Sequence, residues 1–241
     1  MYYNNSYNDS DVVISTDITI SRNLNNYPFP NKMDEIQIAS ATEEIITAIF
    51  SEGNLNKDSW DIITNKTAKA EIEKLLQKGI ITESFANNEK DLSALISSDK
   101  SASIMLCCDD HIKVNVSYKG NVLEDAYGVV SKIDNIICGE FKLAFVGALG
   151  FLSSDISNIG TAMMASVKLR LPALESSGEL GEIMELVSRI GITLEKNNDT
   201  NKSLYTLTNR ITMGITESET IRNLAAIVSQ IITKERYARI G

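Results

Sequence analysis

The pattern of apolar and polar positions predicts a chain of mixed strands and helices. Apolar residues recur every three or four positions at Ile38, Ala41 and Ile45, which is typical of a helix, and every second residue is apolar around Ile18 and Ile20, which is typical of a strand. The predicted strands cover residues 11–20, 101–106, 112–118, 162–171 and 203–212. The predicted helices cover residues 34–51, 67–78, 122–141, 179–190 and 218–239.

The order of these elements shows no regular strand-helix-strand repeat. We therefore predict an α+β fold with an antiparallel sheet flanked by helices, rather than a doubly wound parallel sheet. No stretch rich in Gly, Ser or Pro separates two halves of the 241 residues, so we predict a single domain, 1–241. Residues 1–10 are mostly Asn, Tyr, Ser and Asp and are predicted to be disordered.

Composition then narrows the classes of function. The net charge of -9 argues against nucleic acid, whose phosphates bind clustered Lys and Arg. No apolar run reaches the roughly 20 residues that span a membrane, and the first ten residues lack the basic and apolar parts of a secretory signal. The three cysteines fit neither a disulfide framework nor a Cys-x-x-Cys metal site. We predict a cytoplasmic protein in which at least one of the adjacent Cys107 and Cys108 is buried.

Five short motifs occur in a fixed order along nearly the whole chain. They are residues 15–23 with 27–30, residues 103–113, residues 123–127 with 132–134, the blocks 149–152, 158–161, 165–167 and 171–174, and residues 208–214. In this order they resemble the ATP:guanidino phosphotransferases, and most closely the bacterial protein-arginine kinases. The resemblance implies the glutamine-synthetase-like catalytic domain of the guanidino kinases, followed in full-length bacterial kinases by a further domain.

The resemblance also implies a site that holds Mg·ATP through arginines and orients an acceptor guanidinium through carboxylates. Neutralising the phosphate oxygens is the main task in phosphoryl transfer, and arginine does it with two hydrogen bonds at once. Here the positions expected to carry arginine are occupied by other residues: Asp17, Thr19, Lys113, Met164 and, with a less secure correspondence, Glu195. Ser15 and Lys168 complete the implied set of degenerate nucleotide-binding positions.

The acceptor side departs from the family pattern as well. Asp109 is the one acid that survives from a Glu-Glu pair and is the candidate catalytic base, while Asp155 stands where the family has a cysteine. The family's Gly-Glu-Gly-Ser loop has no counterpart in residues 197–202. We predict no metal site, although Asp109, Asp110 and Asp155 would suit Mg²⁺ if they converged. The alternative for Asp109 and Asp110 is an exposed acidic corner.

Three functions are therefore compatible with the sequence. The leading hypothesis is a pseudokinase without a cofactor that acts through a protein partner, with a homodimer also possible. The second is an active kinase that uses Mg·ATP, with Lys113, Lys168 and Arg170 as a rearranged phosphate site and Asp109 as the base. The third is a domain that binds an arginine-rich or phosphoarginine protein. In all three, Arg22 is interpreted as a structural partner for a carboxylate and His111 as a hydrogen-bonding residue at a strand end.

Overall fold

The computed structural model describes residues 9–197 and 203–240. Its strands are β1 Val13–Arg22, β2 Trp60–Thr64, β3 Ser93–Ser97, β4 Ala102–Leu106, β5 Ile112–Lys119, β6 Phe145–Val146, β7 Gly150–Phe151, β8 Met163–Arg170, β9 Ile192–Lys196 and β10 Leu204–Asn209. Its α-helices are α1 Glu35–Ile49, α2 Lys69–Gln77, α3 Glu83–Ala86, α4 Leu123–Glu140, α5 Pro172–Ser177, α6 Leu180–Arg189 and α7 Glu217–Ala238.

Eight strands form a sheet in the order β2-β3-β4-β5-β1-β8-β10-β9, and β6 pairs with β7 in a separate hairpin. The pairs β2–β3, β3–β4, β4–β5, β8–β10 and β9–β10 are antiparallel. This arrangement confirms the predicted α+β fold with an antiparallel sheet. All ten predicted elements are present within a few residues of their expected bounds, whereas the edge strand β2 and its neighbour β3, among others, were not predicted.

Residue contacts divide the chain into two compact units. Among the described residues, unit 1 takes in 9–18, 118–127 and 164–240, and unit 2 takes in 19–117 and 128–163. The single domain expected from the sequence, 1–241, stays a prediction. The predicted disorder of residues 1–10 falls mainly on residues 1–8, which lie outside the described residues. No helix in the described ranges combines the length and apolarity needed to cross a membrane.

Unit 1 owes its core to strand alternation and to the apolar faces of its helices. Along β8, Met163, Ala165, Val167 and Leu169 are buried, whereas the residues between them point to the other face of the sheet. Helix α7 begins with a capping box in which the side chains of Thr216 and Glu219 each accept a hydrogen bond from the other's backbone N–H. Its apolar face, including Leu224, Val228 and Ile231, is buried.

A buried carboxylate joins two helices of unit 1. Glu235 of α7 is fully buried and accepts hydrogen bonds from the backbone N–H groups of Ala173 and Leu174, at 3.2 and 3.0 Å. These are free donors of the first turn of α5, whose N-terminal dipole also favours a negative charge. Arg239 donates to the same carboxylate at 3.0 Å. These three donors satisfy the buried carboxylate, so Glu235 has a structural role.

Unit 2 has its own apolar core between helices and strands. Helix α1 begins at the Asp34 cap, whose carboxylate accepts the N–H of Gln37 while the Gln37 side chain accepts the N–H of Asp34. The inner face of α1 is buried through Ile38, Ala41, Ile45 and Ile49. Ile38 and Ala41 pack in one cluster with Leu75 of α2, Phe85 of α3 and Ile96 of β3. The same cluster includes Cys107 and Cys108, so this packing also holds the turn between β4 and β5.

Candidate functional site

The turn between β4 and β5 carries the candidate base. Cys107 closes this turn by donating its backbone N–H to the carbonyl of His111 at 2.9 Å, with a left-handed φ of 52°. The carboxylate of Asp109 then meets two partners on the same oxygen. Lys113 Nζ lies 2.9 Å from Asp109 Oδ2, and Ser84 Oγ of α3 donates to that oxygen at 2.8 Å. The candidate base and the candidate phosphate ligand therefore form an ion pair with each other.

This pairing determines the protonation of Asp109. Partial burial raises the pKa of Asp109, but the hydrogen bonds from Lys113 and Ser84, together with the charge of Lys113, outweigh it and leave the pKa below its ordinary value. A carboxylate with a lowered pKa is a weaker proton acceptor. The Lys113 side chain is 18% exposed and that of Asp109 is 41% exposed, so the pair lies at the edge of the unit within reach of solvent.

Asp155 lies close enough to this pair for their charges to interact. Its carboxylate accepts the N–H and the hydroxyl of Ser157, at 2.9 and 2.7 Å, which caps the short 3₁₀ helix Ile156–Asn158. The hydrogen bonds from Ser157 are the main reason that the pKa of Asp155 is lowered; Lys113 lowers it further and Asp109 opposes this. The structure thus brings Asp109, Lys113 and Asp155 into one electrostatic group.

The neighbouring Asp110 and His111 are structural residues. Asp110 is buried, and its carboxylate accepts hydrogen bonds from Asn23 Nδ2, Ser153 Oγ and the N–H of Ser154. His111 Nδ1 lies 2.8 Å from Asn23 Oδ1, in agreement with its predicted hydrogen-bonding role at a strand end. The interpretation of Asp109 and Asp110 together as an exposed acidic corner is wrong for Asp110. Its carboxylate is buried, and three donors satisfy it there.

Arg22 is the buried partner of a carboxylate, as predicted. Its side chain is fully buried, Nη2 lies 2.8 Å from Asp134 Oδ2 of α4, and Nη1 donates to the carbonyls of Ser21 and Thr161 at 2.8 and 2.9 Å. The guanidinium carbon also lies 3.6 Å from the centre of the Phe151 ring, a cation–π contact. This arginine is bound from several sides within unit 2 and holds β1 to α4.

The implied nucleotide positions of β1 are partly exposed and form hydrogen bonds with neighbouring side chains. In unit 1, Ser15 Oγ donates to Asp17 Oδ2 at 3.0 Å. In unit 2, Thr19 Oγ1 donates to Asn115 Oδ1 of β5 at 3.0 Å. Asp17 thus carries a negative charge and Thr19 an uncharged hydroxyl, and neither can neutralise a phosphate oxygen.

The implied positions of β8 lie on one face of the sheet in unit 1. Met164, Lys168 and Arg170 alternate with buried residues, so they share the open face, and Met164 is 41% exposed. On the same sheet, Glu195 of β9 forms an ion pair with Arg210, with Glu195 Oε1 2.8 Å from Arg210 Nη2. The charge of Glu195 is therefore compensated by Arg210.

The structure gives no cation site built from several acids. In the described ranges, no group of three or more His, Cys, Asp or Glu side chains is placed to hold a metal ion. The carboxylate of Asp110 already accepts hydrogen bonds from Asn23, Ser153 and Ser154, so the alternative of a Mg²⁺ site at Asp109, Asp110 and Asp155 is not supported. Cys107 and Cys108 are both buried; burial raises the pKa of Cys107 to about 11, so its thiol stays protonated.

Several residues of this region carried no signal in the sequence. Ser84, Asn115 and Arg210 contact Asp109, Thr19 and Glu195 across gaps of 25, 96 and 15 residues. Ser84 and Asn115 lie outside the recognised motifs, and Arg210 lies within the motif 208–214, which gave no reason to pair it with Glu195. Only the folded chain brings them to the site. The loop 197–202, expected to lack the family's second carboxylate, lies outside the described residues except for Asn197.

Comparison with known proteins settles the family. Residues 40–238 match the family described as "ATP:guanido phosphotransferase, C-terminal catalytic domain". The chain belongs to this family. A protein-arginine kinase of Halothermothrix orenii is 30% identical over 235 residues, covering 96% of this chain and 67% of that protein. A protein-arginine kinase of Clostridium acetobutylicum is 31% identical over 245 residues, covering 99% of this chain and 71% of that protein. This chain spans about two thirds of the length of these relatives.

Solved structures of the family share the fold. The duplicated taurocyamine kinase from Schistosoma mansoni, with bound transition-state analogue components, superposes with a TM-score of 0.84 at 20% identity and covers 98% of this chain and 34% of that chain. A lombricine kinase gives a TM-score of 0.80 at 18% identity, covering 96% of this chain and 68% of that chain. At these identities the likeness shows the fold alone, and it confirms the fold that the motifs implied.

Proposed function

We propose that this protein is a pseudokinase of the protein-arginine-kinase type, which has the family's fold and acts by binding a protein partner. The observation that carries the proposal is the ion pair between Asp109 and Lys113. The residue that would accept a proton and the residue that would hold a phosphate neutralise each other. Neither is then available for its family role without breaking a 2.9 Å contact.

The implied phosphate ligands support the same conclusion. A charge-assisted hydrogen bond contributes about 1.5 to 3 kcal/mol, so the absence of arginine at positions 17, 19 and 164 would weaken nucleotide binding by on the order of 4.5 kcal/mol. That free energy corresponds to roughly three decades in affinity. Asp17 adds repulsion toward phosphate. The residues present therefore do not fit Mg·ATP, and we propose no cofactor and no metal for this protein.

The alternative is an active protein-arginine kinase with a rearranged phosphate site. One observation favours it: Lys168 and Arg170 lie on the same face of β8 as Met164 and would bring two positive charges to that side of the sheet. In that case Mg·ATP is the cofactor and Asp109 is the base. Removal of the Asp109 carboxylate should then abolish phosphoryl transfer.

The test is an assay for phosphoarginine. The purified protein is incubated with Mg·ATP and either free arginine or an arginine-rich protein, and phosphoarginine is measured by mass spectrometry at neutral pH. We expect no product from the wild type and none from Asp109→Asn. Product that forms with the wild type and disappears with Asp109→Asn would overturn the proposal in favour of the active kinase.

The remaining parts of the proposal concern setting and partners. We propose that this protein is cytosolic and that it binds a protein partner rather than nucleic acid or a membrane. A second copy of this chain is one such partner. The acidic net charge of -9 supports a partner with basic segments. Light scattering across a concentration series checks the second copy: a single mass equal to one chain at all concentrations would exclude a homodimer.

A further inference from the structure

A groove runs along α1 in unit 2, and one of its lining residues, Thr42, contacts Cys107 in the turn that carries Asp109. It lies between α1 and the segment that leads into β3, and it encloses about 540 Å³. Pockets that bind small ligands commonly measure about 300 to 1,000 Å³. We call it the acidic groove, after the carboxylates that line it: Glu35, Glu43, Glu89 and Asp91.

The four carboxylates are available to a ligand. All four residues are exposed, and none of them takes part in an ion pair with another described residue. Lys90 also lines the groove, but its Nζ donates to the carbonyls of Pro30 and Met33, at 3.2 and 2.9 Å. Its ammonium is therefore directed to the backbone rather than to the carboxylates, and the groove keeps a negative field.

Apolar surface accompanies this charge. Ile38 and Ile46 of α1 line the groove beneath the carboxylates. Ile46 is only partly buried, so part of its side chain is open to the groove. An acidic rim beside apolar side chains is complementary to a segment that combines basic and apolar residues.

We infer that the acidic groove is a docking site for a basic segment of a partner protein, one in which arginine or lysine alternates with apolar residues. The inference rests on the proposed function, because it names the chemistry of the partner that a pseudokinase would bind. The cations lie against Glu35, Glu43, Glu89 and Asp91, and the apolar residues lie against Ile46. The site is distinct from the positions that correspond to the family's phosphate ligands.

The test is fluorescence anisotropy with labelled peptides and the full chain. The probes are nona-arginine, nona-glutamate, and a nine-residue peptide of six arginines and three leucines. The groove variant carries Glu35→Lys, Glu43→Lys and Glu89→Lys. The matched control carries Glu71→Lys, Glu124→Lys and Glu182→Lys, which make the same change of charge at exposed positions on α2, α4 and α6. Circular dichroism confirms that both variants are folded.

We expect the groove variant to bind both arginine peptides at least about tenfold more weakly than the wild type, as loss of several exposed ion pairs implies. The control variant should change affinity by less than about threefold, since its charges act only at a distance. Nona-glutamate should not bind. Equal losses in the two variants would assign the binding to general acidity and overturn the inference, as would no loss in either.

The leucine-containing peptide tests the apolar half of the site. It should bind the wild type more tightly than nona-arginine, and Ile46→Ser, at a partly exposed position of the groove lining, should remove most of that advantage. Circular dichroism checks that this variant is folded. Equal affinity of the two peptides for the wild type would refute the apolar contact. These outcomes do not depend on phosphoarginine: a protein that makes phosphoarginine would refute the proposed function, whereas unchanged peptide binding in the groove variant would refute the docking site.

Discussion

Two pairs of residues in the motif 103–113 of unit 2 differ in burial and in their partners. Asp110 and His111 are buried and bonded to Asn23, whereas Asp109 and Lys113, one to two residues away, are paired with each other at the surface. Asp110 and His111 match the family motif, whereas Asp109 and Lys113 depart from it, as do the buried Cys107 and Cys108. The hydrogen bonds of Asp110 and His111 account for the similarity at these two positions, because a buried polar group must keep its partner, while a partly exposed pair can change at little cost.

The largest effect is expected from the buried ion pair. Asp134→Ala leaves the fully buried Arg22 guanidinium without its carboxylate, and such losses reduce the free energy of unfolding by about 3 to 5 kcal/mol. Urea denaturation followed by circular dichroism measures the change. Lys132→Ala, at an exposed position of the same helix, is the control and should stay within about 0.5 kcal/mol. A small effect of Asp134→Ala would show that the ion pair between Arg22 and Asp134 does not stabilise unit 2.

The adjacent aspartates give the most direct contrast. Asp110→Ala removes the acceptor for three donors, from Asn23, Ser153 and Ser154, and should lower the free energy of unfolding by about 2 to 3 kcal/mol. Asp109→Ala removes a half-exposed pair and should lower it by less than about 1 kcal/mol. Urea midpoints of the two variants, measured side by side, decide this point. The comparison fails if the two variants are equally stable.

The titration of His111, the single histidine of the chain, reports on the environment of the buried region. Burial lowers the pKa of His111 below 6.5, although the backbone of Pro28 and the charge of Asp110 oppose the shift. A group whose pKa is lowered on folding contributes stability above its unfolded pKa, and this contribution is lost as the pH falls from 6.5 through the folded pKa. We expect an imidazole NMR titration with a midpoint below 6.5; a midpoint above it would place a stabilised imidazolium there.

The smallest effect on stability belongs to Lys113. Lys113→Met should change the free energy of unfolding by less than about 1 kcal/mol, because the pair is partly solvated. It should also raise the pKa of Asp109, since the hydrogen bond and charge of Lys113 lower it in the wild type. Carboxyl NMR titration of wild type and variant measures the shift. An unchanged pKa would mean that the ion pair does not form in solution.

Much of the fold could be predicted because its signals are local. Helices α1, α4 and α7 have long apolar periodicity and clear ends, as at the Asp34 cap. Strand β2 gave no such signal, since only Ile63 of its five residues is buried. At the site, the sequence predicted which positions matter but not their contacts. Arg22 finds Asp134 across 112 residues, and Asp109 finds Ser84 across 25, so only the tertiary fold determines these pairs.

The most direct test of the central claim is isothermal titration of the wild type with Mg·ATP at moderate salt. The variant Asp17→Arg with Met164→Arg, which places guanidinium groups at two of the implied phosphate positions, serves as the matched comparison. We predict no binding heat from the wild type up to about 1 mM nucleotide, and measurable binding by the double variant. Micromolar binding of Mg·ATP by the wild type would contradict the account, because it would show that the phosphate site works without those arginines.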